Sequence, residues 1–398
     1  MRIRSKTLVA VAALALSAAV PAGTATASDA TASDATGSDA SSATAGGAPG
    51  DIVSSVPSAF HPLPGQWTNT RAWKVHYRST TADGKPNVVS GTVIVPQDGR
   101  TGPRPLVTYA VGTVGLGDSC APSANLPNGT AMEANLIQQL TLRGWAVAVT
   151  DYEGLGTPGV HTYTVGPSAG RAMLDVARAA QRLPGTGLSA AGPVGIMGYS
   201  QGGQASSWAA ELQGSYAPEL NVKGTATGGV PADLLAVADF NNGSYGSGLI
   251  FMAAAGQDAA YPELDLDSYL NPAGKALVGF FKENCVAVDA TVGSFKRISD
   301  LTTTNPLERP DWRDRLNRSK LGRTAPAAPV HQYHALGDEL IPYAVGRQLR
   351  ADWCARGAAV DWSTIWVGEH VSGVITHTSA AADWLADRFA GRPAAGNC

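Results

Sequence analysis

Ser200 stands between Gly198 and Gly202 in "GPVGIMGYSQGGQASSWAAEL", a Gly-x-Ser-x-Gly run of the kind that can present a nucleophile. The pattern alone decides little. With 46 glycines in the chain, about half a match is expected by chance, and a second run, "GPSAG", spans Gly166–Gly170. Context separates them. A serine at the tip of a sharp strand-to-helix turn needs a buried strand before it and a helix directly after it. It also needs glycines two residues to either side, so that strand and helix pack closely. Ser200 has "PVGIM" before it, "QASSWAAEL" after it and a further glycine, Gly203. Ser168 follows "HTYTV", a stretch of more exposed character, has Pro167 in the turn, and reads as a helix N-cap.

A serine hydroxyl attacks a carbonyl only when a base removes its proton and an acid orients the base. In one recurring order both partners follow the serine, acid first and histidine last. Seven histidines occur, and only His370 and His377 come after a credible acid, Asp338 in "HALGDELIPY". Glu339 is adjacent and points elsewhere if Asp338 faces the site. His370 follows the strand-like "WSTIWVG" on a loop, whereas His377 lies just before the last helix and reads as a helix-entry residue. His331 and His334 precede the acid on a strand and suit a core role, and His161 is a loop residue without an obvious partner. The tetrahedral oxyanion needs two preorganised N–H donors. Gln201, directly after the nucleophile, supplies one; the loop "GTVGLG" supplies the other from Thr113, Val114 or Gly115.

These residues must be positioned by something, and the pattern from about residue 72 shows what. "KVHYRSTTADGKPNVVSGTVIVP" reads as two strands around a turn at Asp83–Gly84. "RPLVTYAVG" and "GWAVAVTDYEG" are short apolar runs closed by glycine, as in strands buried on both faces. Between and after them lie helical stretches, "MEANLIQQLTLRG" and "SAGRAMLDVARAAQRLPG", the latter capped by Ser168. "NVKGTATGGV", "APVHQYHALGD" and "AAVDWSTIWVGEH" continue the rhythm, and "SAAADWLADRFAG" reads as the final helix. Such alternation predicts an α/β fold, a mostly parallel sheet with helices on both faces. It breaks between about 230 and 325, where helix-like pieces such as "GLIFMAAAG" and "ALVGFFKENC" suggest a mainly helical cap inserted into the sheet domain.

At 398 residues, 44% hydrophobic, 15% charged and a net charge of −3, the chain has ample apolar mass for a core and no charge signature of a nucleic-acid partner. Arg2, Arg4 and Lys6 precede the apolar run 8–20, and "ATA" follows, so residues 1–27 read as a secretory signal. Residues 28–50, a Ser-Asp-Ala repeat without large apolar side chains, read as a disordered linker before a catalytic domain over 51–398. No other stretch is long and apolar enough to anchor the chain in a membrane. Cys120, Cys285, Cys354 and Cys398 form no C-x-x-C pair. In an oxidising compartment they imply two disulfides, with three pairings open. "GLGTPG" at 154–159 lacks the helix start of a dinucleotide loop, and no metal-binding or phosphate-binding pattern occurs, so neither cofactor nor metal is expected. N-glycosylation patterns fall at Asn128, Asn242 and Asn317.

"GYSQGG", "GDELIPY", "GEHVSG" and the ending "WLADRFAG…C" together resemble the secretory lipase family typified by yeast lipase A, over roughly 72–398. The resemblance implies an α/β-hydrolase fold, with a helical cap that carries an acyl-binding tunnel. The spacing from Asp338 to His370 is similar to the family's. The family's disulfides would map as Cys120–Cys285 and Cys354–Cys398. Fungal members carry an acidic residue at the oxyanion turn, where this chain reads Thr-Val-Gly.

The expectation is therefore a secreted, monomeric, lipase-like ester hydrolase, acting on an ester or lipid substrate and meeting a lipid–water interface. Short-chain, polyester or feruloyl-type esterases would use the same triad. A serine peptidase and a non-catalytic surface-binding module are the remaining rivals. Phe251, Met252, Phe280 and Phe281 either line an acyl site or simply form the cap's core.

Overall fold

The computed structural model describes residues 46–398. The expected signal segment, 1–27, and residues 28–45 of the expected linker lie outside them. The linker's last residues, Pro49 and Gly50, are bonded to the domain. The Gly50 amide donates to the Arg78 carbonyl, and Arg182 donates to the Pro49 carbonyl and the Asp51 carboxylate.

A nine-stranded sheet runs in the order β1-β2-β3-β5-β4-β6-β7-β8-β9. Its strands are β1 (Ile52–Ser58), β2 (Thr70–Thr80), β3 (Pro86–Pro96), β4 (Leu106–Ala110), β5 (Ala146–Thr150), β6 (Val194–Tyr199), β7 (Val222–Gly228), β8 (Val330–Ala335) and β9 (Val360–Ile365). β1, β2 and β3 pair antiparallel and join β5 antiparallel; from β5 to β9 every pairing is parallel. The central strands β4, β5 and β6 are buried along their whole length, which is why they read as unbroken apolar runs. β1 was not foreseen, because its polar "IVSSVPS" lies mostly exposed on the edge and shows no buried face.

Numbering the longer helices in chain order, α1 (Ala134–Leu142), α2 (Gly166–Arg182), α3 (Gln201–Tyr216), α9 (Tyr343–Ala355) and α10 (His370–Phe389) cover the sheet. Thr108 on β4 donates to the Met173 carbonyl of α2. On the other face Gly195 of β6 lies under Leu385 and Phe389 of α10. Successive residues of a strand face opposite ways, so α2 and α10 lie on opposite faces. Between β7 and β8 the chain forms α4 (Leu234–Asn241), α5 (Gly248–Ala260), α6 (Pro272–Phe281), α7 (Val286–Gly293) and α8 (Pro310–Arg318). This segment has its own core, with Phe251, Met252, Phe281 and Trp312 buried while Phe280 is exposed.

Two expected helix starts are corrected. α2 begins at Gly166 with Pro167 in its first turn, where a missing N–H costs nothing, so Ser168 is inside the helix rather than its cap. The preceding "HTYTV" is buried, not exposed. α10 begins at His370, ahead of "SAAADWLADRFAG". Glu369 caps it by accepting from the Val371 and Ser372 amides, while Ser372 accepts from the Glu369 amide. The β-branched run through Val371, Val374, Ile375 and Thr376 hid that start. His377 is therefore a mid-helix residue.

Candidate active site

β6 ends and α3 begins at Ser200, whose backbone sits at φ 59°, ψ −122°. That region is costly for any residue with a side chain, and it is the strain expected of a nucleophile turn. The flanking glycines allow it. A methyl group on Gly198 would lie 2.1 Å from the Gly202 carbonyl oxygen, and one on Gly202 would lie 2.0 Å from that of Ala110. Ser200 N–H donates to the Gly228 carbonyl, and its hydroxyl lies 2.8 Å from His370 Nε2.

His370 opens α10 and is buried between Ser200 and Asp338. Its Nδ1 lies 2.8 Å from Asp338 Oδ2. Tyr199 donates to the His370 carbonyl, and Glu339 accepts from the His370 amide at 3.0 Å. Glu339 thus holds the backbone of the histidine while Asp338 meets its ring. Asp338 Oδ1 accepts from the Leu340 and Ile341 amides, and Oδ2 also faces His334 Nε2 at 3.2 Å. Burial pushes the Asp338 carboxyl up, but the hydrogen bonds and charge of His334 and His370 outweigh it and hold the group well below the usual range.

The sequence placed His334 in the core, and it is there; its contact with the acid was missed. A histidine near the end of the buried strand that leads into the acid's turn, four residues before the acid, is the available signal.

Gln201 is the first residue of α3, where a helix leaves its amides unpaired. Its side-chain amide meets His161 Nε2 at 2.9 Å, and His161 Nδ1 faces the Glu153 carbonyl at 3.1 Å. A carbonyl only accepts, so Nδ1 carries the proton and Nε2 accepts from Gln201. Of the expected oxyanion loop, Gly115 bridges Cys285 of the cap and the Val114 carbonyl accepts from the Val286 amide. The Thr113 hydroxyl pairs with Tyr163 at 2.7 Å. Val114 and Gly115 are thereby drawn toward the cap, whereas Gly112, just before Thr113, lies beside the serine turn: a methyl group on it would sit 3.7 Å from Ser200 Cβ.

Disulfides join Cys120 to Cys285 and Cys354 to Cys398. The first ties this loop to the start of α7, and the second ties the chain end to α9.

The other serine has a different setting. Ser168 is buried and donates to the Glu153 carboxylate, and among the described residues no hydrogen bond joins it to a histidine. His377, the other candidate base, packs against His331 Nε2 at 3.1 Å, and His331 Nδ1 meets Asp361 at 2.9 Å. It does not reach Ser200.

Burial pushes both His161 and His377 down to about 4, from an ordinary value of 6.5. Both are neutral in the fold and charge more readily when it opens. Their contribution to stability is therefore complete above pH 6.5 and is lost as pH falls from there toward 4. The melting temperature should drop between pH 7 and pH 5, and His377→Gln, which keeps an amide for His331, should drop less. An equal drop in both proteins would remove His377 from that account.

Ser200 and Gln201 line an open pocket that runs into the cap between α4, α5 and α8. Its walls are almost wholly apolar, including Leu234, Leu249, Phe251, Leu270 and Trp312. Among the described residues no cluster of three or more His, Cys, Asp or Glu could hold a metal, and no helix is long and apolar enough to cross a membrane.

The family model for "Secretory lipase" matches residues 122–397. A secreted triacylglycerol lipase of Malassezia globosa is 31% identical over 349 residues, covering 82% of this chain and 72% of that one. A Mycobacterium tuberculosis protein called a probable inactive lipase is 33% identical, over 81% of this chain and 74% of its own. Among solved structures, Candida antarctica lipase A in its closed state superposes with a TM-score of 0.78 at 25% identity, over 87% of this chain and 84% of that one. A rice cell wall degrading esterase from Xanthomonas oryzae gives 0.72 at 20% identity, over 87% of this chain and all of the other, a likeness of fold.

Proposed function

The chain belongs to the secretory lipase family of secreted carboxylic ester hydrolases, and we propose that it hydrolyses long-chain acyl esters such as acylglycerols through Ser200, His370 and Asp338. The observation that carries this reading is the unbroken path Asp338 Oδ2–His370–Ser200 Oγ, each link 2.8 Å, with Ser200 itself lining an apolar pocket. His370 Nε2 takes the proton as Ser200 Oγ attacks the ester carbonyl. The amides of Gln201 and Thr113 receive the oxyanion. His370 returns the proton to the departing alcohol, and a water activated by the same imidazole then releases the acid.

The cavity supports a long acyl chain. Each methylene moved from water to an apolar wall contributes about 0.8 kcal/mol, so two of them change affinity roughly tenfold. Ala254 on α5 lines the cavity. Ala254→Phe should cut kcat/KM on p-nitrophenyl esters of twelve to sixteen carbons about tenfold or more, with the four-carbon ester nearly unchanged. If the wild type favours two- to four-carbon esters and Ala254→Phe alters all lengths alike, the enzyme is a short-chain esterase.

On either side of His370 in the chain, Trp366, Val367, Val371 and Ile375 are exposed apolar side chains suited to a lipid–water interface. Replacing Trp366 and Val367 by Ser should lower activity on emulsified triacylglycerol about tenfold and spare a soluble ester. Equal activity on the emulsion would remove these side chains from interfacial contact.

A further inference from the structure

Glu133 is a half-buried carboxylate near Ser200 that the triad leaves unused. It ends the turn before α1, and its two oxygens have separate tasks. Oε2 accepts from the Tyr109 hydroxyl of β4 at 2.6 Å, and Oε1 accepts from the Gly112 amide at 2.6 Å. A methyl group on Gly112 would lie 2.8 Å from Glu133 Oε1 and 3.7 Å from Ser200 Cβ, so carboxylate and nucleophile flank the same residue.

The loop that carries the second oxyanion donor is secured one peptide unit at a time. The Val111 carbonyl accepts from Tyr152 at 2.6 Å, and the Gly112 amide of the same peptide unit donates to Glu133. Beyond Gly112, the Thr113 hydroxyl pairs with Tyr163 and the Val114 carbonyl with the Val286 amide. Between these holds lies one peptide unit, Gly112–Thr113, and its N–H is the proposed donor. Glycine at 112 would let that unit swing freely if the preceding one were loose.

We propose that Glu133 is a positioning residue for ester hydrolysis, which holds the Gly112 amide so that the Thr113 amide stays aimed at the oxyanion formed at Ser200. The inference rests on the oxyanion assignment made above. Its energetic sense is preorganisation, since a donor already aimed needs no reorganisation when charge develops. Burial pushes the Glu133 carboxyl up, while the bonds from Tyr109 and Gly112 and the nearby His370 pull it back. Either charge state leaves Oε1 an acceptor for Gly112.

The test compares Glu133→Gln, which keeps an acceptor for Gly112, with Glu133→Met, which fills the volume without one. Soluble p-nitrophenyl butyrate and a trifluoromethyl ketone, which forms an oxyanion adduct with an active serine, are the probes. Glu133→Met should lose about 10²-fold in kcat at nearly constant KM and bind the ketone more weakly by a similar factor; Glu133→Gln should stay within severalfold of wild type. A merely structural role would lower the melting temperature without that split between kcat and KM. If Glu133→Met does not fold, Tyr109→Phe, which frees Oε2, should show the same pattern at severalfold size. Near-wild-type kcat in Glu133→Met, equal losses in both Glu133 variants, or no kcat change in Tyr109→Phe would each overturn the proposal. Ser200→Ala run alongside keeps the outcomes apart: its retained activity would sink the triad, whereas its inactivity beside a fully active Glu133→Met would sink this inference alone.

Discussion

Ser200→Ala should lower kcat on p-nitrophenyl butyrate by about 10⁴-fold or more, with the fold intact. The side chain loses only its hydroxyl, and the backbone strain at φ 59° is already carried by a residue with a Cβ, so no new clash arises. What disappears is the oxygen 2.8 Å from His370 Nε2, and with it the acyl-enzyme. Stoichiometric labelling by a phosphonate ester should vanish in the same variant. Ser168→Ala is the matched control, because both serines satisfy the same five-residue pattern. It should keep wild-type kcat and instead lose about 1–3 kcal/mol of stability, since the Glu153 carboxylate loses the Ser168 hydroxyl and keeps only the longer bond from Thr162 at 3.4 Å. An inactive Ser168→Ala beside an active Ser200→Ala would move the nucleophile to the earlier motif. The experiment matters within this family, because one similar chain is called a probable inactive lipase. Membership therefore does not by itself settle whether a given chain turns over.

The parts of this site that the sequence made legible are those fixed by local rules. A buried strand, a strained turn and a helix require glycines at 198 and 202, and those glycines can be read without any coordinates. The order acid then histidine narrows seven histidines to two. Helix entry was harder. Glu369 caps α10 through its own side chain, and the helix then passes through β-branched residues that favour strands, so by local pattern His370 reads as a loop residue and His377 as a helix start. Ser168 misled for a related reason: a serine ahead of an amphipathic run looks like a cap, yet Pro167 starts the helix earlier. Glu133 and His161 do not show as site residues in the sequence because their partners lie far away along the chain. Glu133 acts on Gly112 across 21 positions, and His161 meets Gln201 across 40. Only the sheet order, which sets β4 beside β6, brings such groups together. β8 shows the converse. Its "VHQYHA" is half polar yet fully buried, because His331, Gln332 and His334 each find a partner in Asp361, the Gly346 carbonyl and the Ile341 carbonyl.

Asp338→Asn should be nearly as damaging as loss of the serine, by about 10⁴-fold in kcat with KM little changed. The reason lies in which oxygen does what. Oδ1 accepts from the amides of Leu340 and Ile341, at 3.0 and 2.8 Å, so in the variant the amide oxygen is held there and the NH₂ group must take the place of Oδ2. That NH₂ meets His370 Nδ1 as a donor. The imidazole can then bond only as the tautomer with its proton on Nε2, which faces Ser200 as a donor and cannot accept the hydroxyl proton. His334 has a second acceptor in the Ile341 carbonyl at 3.0 Å, so it does not force the amide back. The natural carboxyl is held well below the usual range, and its protonation therefore does not limit the rate across ordinary carboxylate pH values. Asp338→Asn should accordingly stay inactive across the whole pH range in which the wild type works, rather than merely shift its profile. Activity within tenfold of wild type would mean that Glu339, which sits 3.0 Å from the His370 amide, is able to serve as the acid. In that case Glu339→Gln, expected here to cost far less than Asp338→Asn, would become the more damaging change.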